Sequence, residues 1–507
     1  MADETDDGAQ TGASAAPDAP EPTPAVEQTP RGGILTSVRS FAKRHRLGLG
    51  IAAGVVAFAL LGTGAVLAGT SIATPVAPVA APTPTATPTP TPTVDPARPR
   101  PAVLAAPAHV RSCSVAELAA DGRLGSMQAQ VRNAATGEVL YDRGGGTPSR
   151  TASVMKVLTT AAALDVLGPD FRAATTVVKG AEPGSVVLVG GGDLTLSRTP
   201  SGTRTVYPGA AHLDDLAAQV RAAWNADPQN PPLTKLILDS SLFGGPEWHD
   251  SWDTVERDEG YMSQITALQV DGDRNNPGAE TSTRSSDPIG RAGDAFASEL
   301  GGIQTIERGT APGGTQQLGQ VVSPTVAELV DKALIVSDNS VAEMLARLVA
   351  IHTGAGNSFD AINAGVLQGL AAYGVDTAGI HIVDGSGLSD FNAVPPSYLT
   401  QLFVKIEARE GNLGPLRDGL PIAGGPRGSL SYSDRFTGDA SVADGNVFAK
   451  TGWIETGYTL SGIIHAQDGA VLTFAIYALD DVDDSAKQAI DALTAGFFRC
   501  GDNLSNL

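Results

Sequence analysis

Basic residues are scarce in this sequence. Its 34 lysine and arginine residues are outnumbered by 55 aspartate and glutamate residues, which gives a formal net charge of −21. A nucleic-acid partner would require a basic face on the protein, so the charge balance argues against such a partner. The seven histidines show no metal-ligand spacing, and the sequence therefore predicts no metal site.

Large apolar side chains are almost missing from the first part of the chain. Residues 1–46 are rich in Ala, Pro, Asp, Glu and Thr, and they end in a short basic cluster. A segment of this composition cannot bury enough surface to fold. We therefore expect residues 1–46 to form a disordered cytoplasmic tail.

Charged residues are absent from residues 47–69, which form an apolar run of 23 residues. This length is sufficient to span a bilayer as a helix. Because basic residues precede the run, the positive-inside rule places the N-terminus in the cytoplasm and the rest of the chain outside the cytoplasmic membrane. The alternative is a cleaved signal peptide, with Val66-Leu67-Ala68 as the small-residue cleavage site.

Proline and threonine dominate residues 70–109, which we interpret as an extracytoplasmic linker. Its central 28 residues, 74–101, alternate Pro and Thr and favour a polyproline II spacer. Fully extended, they would reach roughly 85 Å at about 3.1 Å per residue.

Cysteine is limited to two residues, Cys113 and Cys500, at the two ends of the apolar-rich part of the chain. An even number of cysteines in an exported protein favours a disulfide, and the termini of a domain often lie close together. We expect a Cys113–Cys500 disulfide, with two unpaired buried thiols as the alternative.

Strand and helix patterns are mixed from residue 110 to residue 507. Strand patterns lie at 126–143 and 446–478, and helical patterns lie at 152–167, 325–352 and 484–498. This order predicts an α/β (α+β) protein with an antiparallel sheet that draws strands from both ends of the chain. Residues 110–170 and 320–507 would form the main domain, and residues 171–319 an inserted accessory domain.

Ser153 and Lys156 stand at the start of the helical pattern at 152–167. A spacing of three residues places both side chains on one helix face. A serine hydroxyl needs a neighbouring base to act as a nucleophile, and a lysine can serve if burial or nearby positive charge lowers its pKa. Alone, this spacing is a weak indication of catalysis.

Two further motifs follow, Ser337-Asp338-Asn339 within the helical pattern at 325–352 and Lys450-Thr451-Gly452 on a strand. Gly452 would leave room for a substrate backbone beside the strand. Each motif is weak alone, but the chain has only eight lysines, and two of them, Lys156 and Lys450, fall in the three motifs. The trio with Ser153-Val154-Met155-Lys156, in this order, occurs in class A β-lactamases and penicillin-binding proteins.

Three additional segments narrow the resemblance. They are Gly191-Gly192-Asp193-Leu194, Asp384-Gly385-Ser386-Gly387-Leu388-Ser389 and residues 420–436. With these, residues 115–500 resemble the type-4 (class C) penicillin-binding proteins, the D-alanyl-D-alanine carboxypeptidase/endopeptidase family. The resemblance implies a serine β-lactamase/DD-peptidase-like transpeptidase fold, with an all-helical side and an inserted smaller domain, and no metal or organic cofactor.

The resemblance also implies a role for each site residue. Ser153 would be acylated, Lys156 would be its base, and Ser337 would relay a proton to the leaving nitrogen. Asn339 would bind the substrate peptide, Lys450 and Thr451 would bind its terminal carboxylate, and the N–H groups of Ser153 and Trp453 would form the oxyanion hole. The implied partners are peptidoglycan stem peptides and β-lactams, with Gly452, Asp193 and Asp390 as further substrate contacts.

The sequence departs from the family in two places. The interval of 184 residues from Ser153 to Ser337 is short for the two inserted domains that relatives usually carry. We therefore expect one reduced insertion, or a second domain that is largely lost. Asp390 stands where relatives often have an arginine that recognises the diaminopimelate end of the peptide. The identity of the peptide side chain is therefore open.

Two alternative functions share these motifs. A β-lactamase would have the same trio, but no ExxLN-like deacylation segment lies between the second and third motifs. A catalytically idle wall-binding or scaffold protein would account for Asp390 and the short insertion, but the intact trio argues against it.

Overall fold

Two five-stranded sheets organise the part of the chain that the structure describes. A computed structural model describes residues 110–506. In chain order, the strands are β1 (Gln128–Asn133), β2 (Val139–Arg143), β3 (Ala174–Lys179), β4 (Ser185–Val189), β5 (Lys235–Asp239), β6 (Thr305–Arg308), β7 (Gln317–Val322), β8 (Val447–Ile454), β9 (Gly457–His465) and β10 (Val471–Leu479).

The first sheet is antiparallel and has the strand order β2-β1-β10-β9-β8. Its centre joins the two ends of the sequence, because β1 pairs with β10 from Gln128↔Tyr477 to Asn133↔Leu472. Eight of the nine residues of β9 are buried, as expected for a central strand that is covered on both faces. The predicted sheet with strands from both ends is confirmed.

Helices cover both faces of this sheet and form a helical side next to it. In chain order, the α-helices are α1 (Ala116–Ala119), α2 (Met155–Val166), α3 (Leu213–Asn225), α4 (Val255–Asp258), α5 (Pro288–Leu300), α6 (Val326–Ile335), α7 (Asn339–His352), α8 (Ile362–Leu370), α9 (Pro396–Glu407), α10 (Gly414–Asp418) and α11 (Ala486–Cys500). One face of the sheet packs with α2, α6, α7, α8 and α9 in one apolar core. The other face packs with α1 and α11 in a second core. The predicted fold class, with an all-helical side, is confirmed.

The helical pattern at 325–352 is two helices rather than one. α6 begins with a capping box between Thr325 and Glu328, and α7 has Asp338 as its N-cap. Between them, Ser337 has a left-handed φ of 58°, which a residue inside an α-helix cannot adopt. The predicted helical pattern is therefore interrupted, and the break lies at the second motif.

The second sheet occupies the interval between the first two motifs. Its strand order is β6-β5-β4-β3-β7, with β4, β5 and β6 parallel and the pairs of β3 antiparallel. Helices α3 and α5 pack on it around a third apolar core. The predicted boundary at residue 319 falls inside β7, which pairs with β3 as far as Ala174↔Val322.

Three of the expected segments lie outside the described residues: the tail at 1–46, the apolar run at 47–69 and the linker at 70–109. Within residues 110–506, no helix is long and apolar enough to cross a membrane. At the start of the described part, Cys113 is joined to Cys500 by a disulfide with a Cα–Cα distance of 5.4 Å.

Candidate active site

The amine of Lys156 lies at the centre of the predicted site. Ser153 occupies a single 3₁₀ turn directly before α2, and Lys156 lies in the first turn of that helix. The Lys156 Nζ donates to Ser153 Oγ at 2.8 Å, to Asn339 Oδ1 at 2.7 Å and to the Ser386 carbonyl at 2.8 Å. The amine therefore contacts the nucleophile directly, as a general base must.

The second motif supplies two side chains that point toward this amine and toward the third motif. Asn339 is the first residue of α7 and donates its Nδ2 to the Tyr261 carbonyl at 3.2 Å. Ser337 accepts a hydrogen bond from Lys450 Nζ at 3.0 Å. Because a left-handed φ is uncommon for a residue with a Cβ, the surrounding structure must hold Ser337 in this conformation.

The third motif lies on the edge strand β8, next to β9. Lys450 is fully buried, and its amine also donates to the Thr451 carbonyl at 2.8 Å. The Thr451 hydroxyl is 2.6 Å from Ser429 Oγ. The Lys450 amine therefore acts on the cavity through Ser337, whereas the side chain of Thr451 lines the cavity.

Burial changes the acid–base properties of both lysines. It lowers the pKa of the Lys156 amine from 10.5 to about 8, although the carboxylates of Asp384, Glu343, Asp338 and Glu256 act in the opposite direction. Burial and the positive charge of Lys156 hold the pKa of Lys450 well below 10.5. The lowered pKa of Lys156 increases its neutral fraction, and only a neutral amine can accept the serine proton.

Sequence reasoning missed the role of Glu343, a buried carboxyl on α7. Glu343 accepts hydrogen bonds from the Gly385 and Ser386 amides at 3.0 and 2.7 Å. Burial and the charge of Asp384 raise its pKa to about 8. It holds the loop whose Ser386 carbonyl accepts from Lys156. The available signal was a glutamate one helical turn after Asn339, within an apolar helix.

Gly452 is required by the protein's own packing. A Cβ at Gly452 would lie 2.2 Å from Thr459 Oγ1 and 2.7 Å from the Thr151 carbonyl. Thr459 Oγ1 donates to that same carbonyl at 2.7 Å, just before Ser153. The space that we assigned to a substrate backbone is filled by the nucleophile turn, although Gly452 also lines the cavity.

The site opens into a cavity of about 670 Å³. Seven residues of our predicted set line it: Ser153, Ser337, Asn339, Asp390, Thr451, Gly452 and Trp453. The Trp453 side chain is exposed, and Asp390 accepts a hydrogen bond from Thr456 Oγ1 at 2.6 Å. The structure therefore brings residues of all three motifs to one cavity, which is large enough for a peptide end.

Asp193 is separate from this constellation, which corrects its assignment as a substrate contact. Its side chain is buried and accepts from the Thr195 amide and hydroxyl at 2.8 and 2.6 Å. Burial raises its pKa to about 6. It is not among the cavity-lining residues, so the observed contacts give it a role in the turn after β4.

Metal ligation has no support among residues 110–506, where no group of three or more His, Cys, Asp or Glu side chains could hold an ion. The prediction that no cofactor is needed remains a prediction. The chemistry available at this site is nucleophilic attack by a serine with a lysine base, followed by hydrolysis.

Comparisons with known proteins agree with the site. Residues 112–283 and 273–499 match the model of the D-Ala-D-Ala carboxypeptidase 3 (S13) family. The chain is 38% identical to carboxypeptidase DacB of Mycolicibacterium smegmatis, over 79% of this chain and 87% of that protein. It is 35% identical to a carboxypeptidase of Mycobacterium tuberculosis, over 77% and 84%.

The fold is similar to that of penicillin-binding protein 4 from Haemophilus influenzae, with a TM-score of 0.60 at 20% identity. The match covers 73% of this chain and 94% of that structure. This likeness confirms the fold, and the family match and the two carboxypeptidase relatives identify the family. The chain belongs to the D-Ala-D-Ala carboxypeptidase 3 (S13) family.

Proposed function

We propose that this protein is a serine D-Ala-D-Ala carboxypeptidase that trims peptidoglycan stem peptides through an acyl-enzyme on Ser153. The observation that carries the proposal is the shared geometry of two lysines and two serines. Lys156 contacts Ser153 at 2.8 Å, and Lys450 contacts Ser337 at 3.0 Å. Two relatives with more than a third of their residues identical are named carboxypeptidases.

Acylation begins when the neutral Lys156 amine takes the Ser153 hydroxyl proton and the oxygen attacks the carbonyl of the terminal D-Ala-D-Ala bond. The carbon–nitrogen bond then breaks. The proton that Lys156 took from Ser153 then passes through the Ser337 hydroxyl to the leaving D-alanine nitrogen, which returns Lys156 to its neutral form. The Lys450 amine holds Ser337 for this relay by donating to its hydroxyl. The Thr451 hydroxyl and the neighbouring Lys450 amine are suited to bind the carboxylate of the leaving D-alanine.

Deacylation reverses the proton flow. Water attacks the Ser153 ester, and the neutral Lys156 amine accepts the water proton. Lys156 then returns this proton to the Ser153 oxygen as the ester bond breaks and the shortened peptide leaves. A β-lactam would acylate the same serine and leave slowly. A solved relative, penicillin-binding protein 4 of Haemophilus influenzae, has been crystallised with a β-lactam.

The cavity walls favour a positively charged peptide side chain. Among residues 110–506, five cavity carboxylates have no basic partner at ion-pair distance. These residues are Asp253, Glu256, Glu259, Asp390 and Glu455. We expect a stem peptide whose third residue carries only an amine to react faster than one whose third residue carries an amine and a carboxylate. The cavity carboxylates would repel the additional carboxylate of that residue. Comparing kcat/KM for lysine and diaminopimelate tripeptides tests this, and equal values would contradict it.

The location of the enzyme forms part of the proposal. The uncharged run at 47–69, preceded by basic residues, supports a single-pass anchor with the catalytic domain outside the cytoplasmic membrane. Full-length protein should sediment with membranes and need detergent for release, whereas a 102–507 fragment should not. Release of the full-length protein by salt alone would argue against the anchor.

Release of D-alanine from a diacylated tripeptide ending in D-Ala-D-Ala tests the activity itself. Wild-type protein should release one D-alanine per peptide, and Ser153→Ala should release none. A cross-linked dimeric peptide in the same assay measures endopeptidase action. Well-folded wild-type protein without either activity would support the idle scaffold.

A further inference from the structure

Asp338, the middle residue of the second motif, forms a buried ion pair with Arg274. Asp338 lies between Ser337 and Asn339, and its carboxylate is almost completely buried. One oxygen, Oδ1, caps α7 by accepting from the Val341 amide at 3.1 Å. The other oxygen, Oδ2, accepts from Arg274 Nη2 at 2.9 Å and from the Tyr207 hydroxyl at 3.1 Å.

Both of these donors belong to the inserted domain. Arg274 is itself buried, donates to the Tyr207 hydroxyl as well, and lies 5.0 Å from the centre of the Tyr207 ring. A buried guanidinium with a carboxylate and a hydroxyl as partners is a geometrically specific contact. The insertion therefore reaches Asp338 through one guanidinium and one phenol, in addition to the Tyr261 carbonyl that accepts from Asn339.

The backbone that carries Arg274 has a rare conformation. Asp271, Gly272 and Asp273 have φ values of 53°, 56° and 57°, all left-handed. Both aspartates are buried: Asp271 accepts from Ser197 Oγ at 2.7 Å, and Asp273 accepts from the Ser285 amide at 2.8 Å. Such conformations persist where the surroundings over-determine them, and they concentrate at functional sites.

A side chain at Gly272 would collide with the same network. Its Cβ would lie 2.4 Å from the Tyr207 hydroxyl and 2.6 Å from Arg274 Nη1. The turn is therefore built around the two groups that contact Asp338. Its three left-handed residues directly precede Arg274 and fix the backbone position from which the Arg274 side chain extends.

We propose that Arg274 is a positioning residue for the reaction: by holding the Asp338 carboxylate, it keeps Ser337 and Asn339 in place opposite Ser153. This inference rests on the proposed function. Ser337 needs support for its left-handed backbone, and Asp338 is the adjacent residue with side-chain bonds to both α7 and the inserted domain. The inserted domain then contributes to the active site by holding the second motif in place.

The charge of Arg274 also affects the pKa of the base, Lys156. The charged groups that act on Lys156 are Asp384, Glu343, Asp338, Glu256 and Lys450. Asp338 raises the pKa of Lys156, and Arg274 is the nearest opposing charge to Asp338. Removal of the guanidinium should therefore raise the Lys156 pKa and move the acidic limb of the rate profile to higher pH.

Arg274→Met tests the inference, with Arg291→Met as the matched control. Arg291 pairs with Asp273 of the same turn at 3.1 Å but does not contact Asp338. We expect Arg274→Met to lower kcat and the rate of acylation by benzylpenicillin by about 100-fold, as for a misplacement of about 1 Å, with KM changed less than about twofold. Arg274→Lys should recover part of the loss, and Arg291→Met should retain wild-type kcat.

The outcomes separate this inference from the proposed function. Wild-type protein that neither releases D-alanine nor binds penicillin would overturn the proposed function. Folded Arg274→Met with wild-type kcat and an unshifted acidic limb would overturn the positioning role alone, as would equal losses in both arginine variants. If Arg274→Met does not fold, Tyr207→Phe decides, because it removes one hydrogen bond to Asp338 and keeps the ring. A roughly tenfold loss of kcat supports the role, and an unchanged kcat contradicts it.

Discussion

The pH dependence of acylation provides a quantitative test of Lys156 as the base. The amine is fully buried, and its pKa is lowered to about 8 from 10.5. Only the neutral amine can accept the Ser153 proton, so the acylation rate should follow the neutral fraction. At pH 7 that fraction is roughly one in ten, compared with roughly one in 3,000 for an unperturbed lysine.

The position of the plateau distinguishes the two cases. With a pKa of about 8, the rate should rise about tenfold per pH unit below pH 7 and only about twofold between pH 8 and pH 10. An unperturbed lysine would give a rise of about 80-fold over that second interval. Stopped-flow measurement of acylation by a chromogenic β-lactam gives the rate at each pH, and thermal unfolding at the same pH values is the control for stability. A rate that climbs steeply through pH 10 would refute Lys156 as a burial-tuned base.

Three further predictions follow from packing. Gly452→Ala should lower the acylation rate by about 100-fold, because its Cβ would displace the nucleophile turn. The control Gly146→Ala, which has no atom near its Cβ, should keep the wild-type rate. Equal acylation rates of the two variants in rapid-mixing assays would contradict this prediction. Replacing Cys113 and Cys500 with alanine should lower the free energy of unfolding by about 2–5 kcal/mol in chemical denaturation. The kcat should stay unchanged, because neither residue lines the cavity. An unchanged unfolding midpoint would show that the disulfide does not stabilise the fold. Asp193→Asn should keep the acylation rate within about twofold, since the carboxyl is buried in its turn, and a loss above tenfold would restore a role in substrate binding.

Much of the fold could be predicted because its signals are local. The apolar strand patterns at 446–478 and the helical pattern at 484–498 correspond to β8, β9, β10 and α11. The sequence also predicted that the three motifs lie at a helix start, in a helical stretch and on a strand. In the structure, residues of all three motifs line one cavity.

Other features depend on contacts that leave no local trace. The break between α6 and α7 is caused by one left-handed residue, Ser337, inside an otherwise helical apolar pattern. The Arg274–Asp338 pair joins residues 64 positions apart, and neither residue type predicts its partner. Asp193 lies in a segment typical of the family, but burial, which the segment alone does not reveal, decides its role.

The intact mass of the 102–507 fragment after incubation with benzylpenicillin tests the central claim most directly. We predict one added penicilloyl group on the wild-type protein and none on Ser153→Ala, because Ser153 is the hydroxyl in contact with the Lys156 amine. Well-folded wild-type protein without an adduct, or an adduct that persists in Ser153→Ala, would contradict the acyl-enzyme mechanism.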